Sequence, residues 1–290
     1  MKEHVWHLRR HLLAREPDFV GIEIPVPGTD DTAFVGNGIH PDKEAHLTAD
    51  QYALAEAIGE TLYLPVGVDE IYLKSSPLAR ANETARHMFV GMARAYARMV
   101  LGIDASQKLS PEMQRALSEL GLHKRVGAVL PFQGLQETRY RNSAGKFDDG
   151  NQLVAEAYHK GVNPNFPGYA YMAQKGFEND PRSEHPYNVA QRGLDILHHL
   201  VRDGGNVLVS GTHQWNLEAI TACLTGNLGR DGNELFANAG GGYGLGGGFE
   251  LQVYEDHGQI REARLMRTTT DPKVLDKELT VDLGVLAENL

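Results

Sequence analysis

"EIYLKSSPLARANETARHMFVGMARAYARMV", Glu70 to Val100, decides how the rest of the chain is read. It opens as a short strand, "EIYLKSS", and Ser76 and Pro77 then open a long helix. Proline is favoured at the first helical position, where its missing N–H has no intrahelical partner to lose. A strand that runs straight into a helix is a βα unit. The same pattern recurs at "NVLVSGT" followed by "WNLEAITACL", and "HVWHLR" near the start reads as a further strand.

Between these lie more helices. In "TADQYALAEAIGETL", Thr48 stands as N-cap with Gln51 three residues on, the capping-box spacing. Leu54, Ala55, Ile58 and Leu62 then share one helical face. "PEMQRALSEL" and "NVAQRGLDILHHLVRD" also read as helices. "PGTDDTAFVGNGIHPDKEAH" reads as a loop, rich in Gly, Pro and Asp. "FELQVYED" and "QIREARLM" form a hairpin around His257 and Gly258. Alternating strands and helices predict one α/β domain over residues 1–290: a three-layer α/β/α sandwich with a mostly parallel central sheet. Residues 131–186 differ, being dense in Asn, Gly, Pro and Tyr with a short helix at "QLVAEAYH". They read as a loop-rich insertion or lid. Its Tyr140, Tyr158, Tyr169 and Tyr171 suit stacking on a ring, binding sugar hydroxyls or simple surface packing.

Composition narrows the function. The chain has 290 residues, 41% hydrophobic and 23% charged, with a net charge of -10. The absence of a long basic run argues against nucleic acid, whose binding needs a positive face to displace counterions. It does not argue against a small anion, because a few arginines dominate a desolvated site. The single cysteine, Cys223, permits no intramolecular disulfide and no Cys-based zinc site. It sits on an apolar helix face and reads as core. No apolar stretch has the length of a signal core or a bilayer span, so a soluble, cytoplasmic protein is expected.

In α/β sheets ligands bind beyond the carboxyl ends of the strands. Three such ends carry matching chemistry. The first offers Arg10 and His11, the second Ser75, Ser76 and Arg80, and the third Thr212 and His213. Guanidinium meets phosphate oxygens bidentately and stays charged at any working pH. Neutral imidazole is a nucleophile near neutrality. Arg9 reads as a solvated neighbour, since successive strand residues point to opposite faces.

Three of these stretches resemble the histidine phosphatase superfamily, the phosphoglycerate-mutase-like proteins. "LRRHL" is similar to its Leu-x-Arg-His-Gly opening. "LKSSPLARANETA" is very close to its Ser-Pro-Leu-x-Arg-Ala-x-x-Thr-Ala motif, and "NVLVSGTHQ" resembles the strand leading to its second histidine. "EAHLTADQYALA" weakly resembles a further family segment. The resemblance implies that His11 attacks phosphorus and forms a phosphohistidine, while Arg10, Arg80, Thr212 and His213 bind the phosphoryl oxygens. It implies an acid, here Glu137 in "LQETR", with Glu83 and Glu156 as rival carboxylates. No metal and no cofactor is expected, and the partner is a small phosphorylated substrate. Leu12 departs from the family, which has Gly there, a substitution that matters if the backbone needs positive φ. The expected activity is a metal-independent phosphomonoesterase. A phosphotransferase of the mutase type and a non-catalytic phospholigand-binding protein are the alternatives.

Other motifs read as structural. "GGGYGLGGG", Gly240–Gly248, matches G-x-G-x-x-G, but a strand follows where a nucleotide site needs a helix. A flexible loop bordering the site is the better reading. His4 and His7 lack an accompanying carboxylate motif for a metal, and His198 and His199 point in different directions on their helix.

Overall fold

A computed structural model of the chain describes residues 1–12, 14–15, 21–25, 32–36, 46–65, 71–102, 130–135, 140–141, 147–148, 184–202, 207–239, 241–270 and 276–289. The strands are β1 (Lys2–Arg10), β2 (Ala14–Arg15), β3 (Gly21–Pro25), β4 (Thr32–Gly36), β5 (His46–Leu47), β6 (Ile71–Ser75), β7 (Leu130–Pro131), β8 (Tyr140–Arg141), β9 (Phe147–Asp148), β10 (Val207–Thr212), β11 (Gly248–Asp256), β12 (Gln259–Thr268) and β13 (Lys277–Leu279). The helices are α1 (Ala49–Glu60), α2 (Ala79–Leu101), α3 (Pro186–Leu194), α4 (Ile196–Arg202), α5 (Gln214–Leu224), α6 (Arg230–Asn238) and α7 (Leu283–Glu288). None of these helices is long and apolar enough to cross a membrane.

The main sheet is open, in the order β13-β12-β11-β1-β10-β6-β7. Its β1, β10, β6 and β7 half is parallel, and β11 to β13 add an antiparallel half. The sheet is therefore mixed, because the hairpin read at the end of the sequence pairs directly onto β1. The hairpin turns at His257 and Gly258, which have φ of 53° and 78°, the left-handed pair that a two-residue turn matching strand twist requires.

Side chains alternate along the central strands to build two cores. Trp6, Leu8 and Leu208 pack with α3, α4 and α5 on one face, Trp6 edge-on to Phe249 at 5.2 Å. Val5, Val207 and Val209 pack with α1 and α2 on the other. Coverage on both faces explains why β1 is buried from His4 through Arg9, as strands enclosed by helices are.

Several local expectations give way. "TAFVG", read as loop, pairs as β4 with β3. Thr48 precedes α1, but its hydroxyl turns to Asp50 and Gln51 Nε2 also donates to Asp50, at 3.1 Å, so no capping box forms. Asp50 engages both side chains as donors, since a charged carboxylate is a stronger partner than the backbone N–H groups from which a capping box would have them accept. Leu54 is 42% exposed, leaving Ala55, Ile58 and Leu62 to face the core. Pro77 lies in the turn before α2, whose N-cap is Leu78. "NVAQRGLDILHHLVRD" is two helices parted at Asp195. The first residues assigned to the insertion belong to the main sheet, where Ser75 pairs with Pro131. Most of residues 131–186, and the helix read at "PEMQRALSEL", lie outside the described residues.

Helix α2 meets β10 at Gly211, where a Cβ would stand 2.0 Å from the carbonyl oxygen of Ala81. Any side chain there pushes the first turn of α2 off the sheet. Gly211→Ala is expected to lower unfolding free energy by about 1–3 kcal/mol, read from the midpoint of urea denaturation.

Candidate active site

The site starts from a backbone register. β1 and β10 run parallel with Arg10 opposite Thr212. The next residue on each strand is a histidine, and both leave the sheet at the same level. The amide of His11 donates to the Thr212 carbonyl at 2.9 Å. The rings of His11 and His213 then stand 5.3 Å apart between centroids, tilted by 57°.

The end of β6 closes the third side. The amide of Ser76 and the hydroxyl of Ser75 both donate to the Gly211 carbonyl, each at 2.9 Å. The Ser76 hydroxyl is hydrogen-bonded to His213 Nε2 at 2.9 Å, which orients that ring. Just past this turn α2 begins, carrying buried Arg80 in its first turn. Amide donors and the positive end of the dipole make a helix start favourable for an anion.

Leu12 is accommodated without strain. Among the described residues the non-glycine position with positive φ is His257, not Leu12. The Leu12 amide donates to Thr84 Oγ1 at 3.1 Å, and that hydroxyl donates to the Arg80 carbonyl at 2.7 Å. Its side chain is buried in the α1–α2 core. The same residue sets the chemistry of His11, whose Nδ1 lies 2.8 Å from the Leu12 carbonyl. A carbonyl only accepts, so Nδ1 carries the proton and Nε2 keeps its lone pair.

Both imidazoles are held neutral. Desolvation, then the positive charge of Arg80, the His213 ring and Arg10, pushes His11 well below the usual histidine range. His213 is lowered by desolvation, Arg80, Arg10 and Arg192. The pocket thus concentrates positive charge around two unprotonated rings, an environment that favours an incoming oxyanion and leaves a nucleophile ready.

Arg10 reaches the site held by a carbonyl: its Nη1 donates to Tyr243 O at 2.8 Å. Thr212 is placed differently from the expectation. Its hydroxyl is fully buried and donates to the Leu135 carbonyl at 3.0 Å, so it braces the Gln133–Leu135 turn rather than offering its proton to a ligand. Phe132 N, donating to Ser75 O at 2.7 Å, and Arg192 Nη1, donating to Gly134 O at 2.5 Å, brace the same segment. Glu137 and Glu156 lie outside the described residues. Glu83 accepts from His46 Nδ1 at 2.6 Å and Leu47 N at 2.8 Å, tying β5 to α2.

Arg9 is not solvated. It is 6% exposed, donates to Thr268 Oγ1, and burial pushes its pKa down to about 10 against the support of Glu250. Arg9 does take the face that alternation assigns to it, but that face is covered. His7 is fully buried and donates from Nε2 to the Tyr63 carbonyl at 2.8 Å, while His4 meets Glu255 at 3.3 Å. Arg192, whose guanidinium is paired with Glu184 and braces Gly134, was missed because a helical arginine reads as a surface residue.

No protein-family model and no curated protein matches the sequence. Solved structures do. A mycobacterial glucosyl-3-phosphoglycerate phosphatase is 18% identical over 91% of this chain and 96% of its own, with a TM-score of 0.48. A protein described as mycobacterial hydrolase 2 is 18% identical over 100% of this chain and 97% of its own, at 0.49. A phosphoglycerate mutase from Bacillus anthracis is 10% identical over 99% of this chain and 97% of its own, at 0.44.

The neutral histidines couple stability to pH. His7, lowered to about 3 chiefly by burial, joins His11 and His213 as groups that bind protons more tightly in the unfolded chain. Stability is therefore complete above about pH 6.5 and falls as pH drops below it, by up to about 1.4 kcal/mol per pH unit for each histidine. Urea unfolding measured from pH 7 to pH 4 should show this decline, and His7→Asn should make it shallower.

Proposed function

We propose that the chain is a metal-independent phosphomonoesterase that acts on a small phosphorylated metabolite through a phosphohistidine. One observation carries this reading: the two neutral histidine rings stand 5.3 Å apart, both within the field of Arg10 and Arg80. Chains built to bind an anion need only the guanidiniums. The oriented lone pair on His11 Nε2 is the added feature, and it is what in-line attack on phosphorus requires.

The steps follow from the groups. His11 Nε2 attacks phosphorus as the ester P–O bond breaks. Arg10, Arg80 and His213 hold the non-bridging oxygens as charge develops, and the dianion's arrival favours a proton on His213. Glu137 gives its proton to the departing oxygen. It then takes a proton from water, whose oxygen attacks phosphorus; the P–N bond breaks and the free imidazole returns. The guanidiniums supply the charge compensation that Mg²⁺ supplies in other phosphoryl-transfer sites. Ser76 keeps the His213 ring in place.

The unstrained backbone at Leu12 favours turnover over a purely binding role. Hydrolysis of an aryl phosphate should survive excess chelator and vanish in His11→Ala, with an acid-labile, alkali-stable phosphoenzyme trapped only when His11 is present. Arg80→Ala should lower kcat/KM by about 10²–10³-fold. Activity that requires added metal, or that persists in His11→Ala, overturns the proposal.

A further inference from the structure

The glycine-rich run that does not fit a nucleotide site has another use. Residues 241–248 lie against the end of β1. The amide of Arg10 donates to Gly247 O at 2.7 Å, and Gly246 N donates back to Arg10 O at 3.2 Å. Gly246 has φ of 72°, and a Cβ there would press to 2.8 Å from Leu12. The segment also holds the Arg10 side chain, through the bond from Nη1 to the Tyr243 carbonyl. The Tyr243 carbonyl is thus one of the contacts that set the direction of that guanidinium.

That carbonyl is fixed from behind by a second arginine. Arg267, on β12, is only 3% exposed. Its Nη1 donates to Ala239 O, and its Nη2 donates to Gly241 O at 3.0 Å and Gly242 O at 2.9 Å. Its guanidinium carbon also lies 5.3 Å from the centre of the Tyr243 ring, whose hydroxyl is hydrogen-bonded to Thr221 Oγ1 at 2.8 Å. Ala239 is the C-cap of α6, so the cation also sits at the negative end of that helix. A planar fork can grip several carbonyls at once, which a single ammonium cannot do in the same geometry.

We propose that Arg267 is a positioning residue for Arg10: it sets the glycine-rich segment so that the Tyr243 carbonyl aims the Arg10 guanidinium at the bound phosphoryl oxygens. This rests on the reading of the pocket as a phosphoryl site. Arg267 itself touches no substrate. It acts through Arg10 alone, and that makes a specific pattern of non-additivity the signature.

The test is a double-mutant cycle read by the affinity of inorganic vanadate, from calorimetry and from competitive inhibition of aryl phosphate hydrolysis. Arg267→Lys should weaken vanadate binding at least tenfold when Arg10 is present, and less than twofold in an Arg10→Ala background. Tyr243→Phe releases the ring from Thr221 while leaving the Arg267 contacts, and should show the same dependence on Arg10 at about threefold. Arg267→Gln, which keeps two N–H donors for the carbonyls, takes the place of Arg267→Lys with the same expectation if near-UV circular dichroism shows that the lysine variant does not fold. Equal fold-losses in both backgrounds, or no loss in either, overturn the role of Arg267 while leaving the phosphatase reading intact. A wild-type protein that neither binds vanadate nor hydrolyses the ester overturns both.

Discussion

The in-register parallel pairing of β1 with β10 is the constraint on which everything else at the site depends. Because Arg10 lies opposite Thr212, the two following residues cannot avoid each other. The bond from His11 N to Thr212 O then fixes the height at which the first ring leaves the sheet. The Gly211 carbonyl, one residue back, accepts from both Ser75 and Ser76 and so ties the third strand end to the same level. Apart from the Ser75 hydroxyl, these are backbone contacts, indifferent to most side chains, which is how a few hydrogen bonds place groups drawn from distant parts of the chain. Glycine at 211 is needed because α2 comes against the strand at that point, and only that approach brings Arg80 to the pocket.

Burying positive charge without neutralising it is the electrostatic problem of this fold, and the arginines meet it in different ways. Arg9 has Glu250 nearby and a hydroxyl partner in Thr268. Arg192 has a bidentate carboxylate in Glu184. Arg267 is surrounded by carbonyl oxygens at a helix end. Arg10 has the Tyr243 carbonyl as a partner, and Arg80 stands in the first turn of α2; both bear on the histidines. Desolvated cations beside neutral imidazoles favour an anion, while desolvation, helped by the field of those cations, keeps the imidazoles unprotonated. One arrangement thus supports both parts of the proposed function, the binding of a phosphoryl group and the attack by His11.

Much of this was legible from local pattern. A strand followed at once by a helix, at Ser76–Pro77 and again at Thr212–His213, is a short-range signal, and it identified the α/β class and the strand ends to inspect. Arg10, His11, Arg80 and His213 could be picked out as candidates because each lies close to such an end. The terminal hairpin was legible for the same reason, since His257–Gly258 between two alternating runs is a local signature.

The failures are equally physical. Arg9 looked solvated because alternation says which face a residue takes, not whether another strand and its side chains cover that face. Thr212 looked like a ligand group until the Leu135 carbonyl arrived against it from a distant segment. The Thr48 cap was lost because the Asp50 carboxylate engages Thr48 and Gln51 as donors, a choice of partner that spacing does not rank. Arg192 and Arg267 have no local signature at all, because a cation's partners were carbonyls and a carboxylate brought in by the fold. The amino-acid sequence by itself determined the elements, their ends and the residue types gathered there, since those depend on neighbours along the chain. Which atoms meet, which hydroxyl is already engaged and which carbonyls each arginine grips were decided only in the tertiary structure, because hydrogen bonds and desolvation act through space between residues the chain keeps far apart.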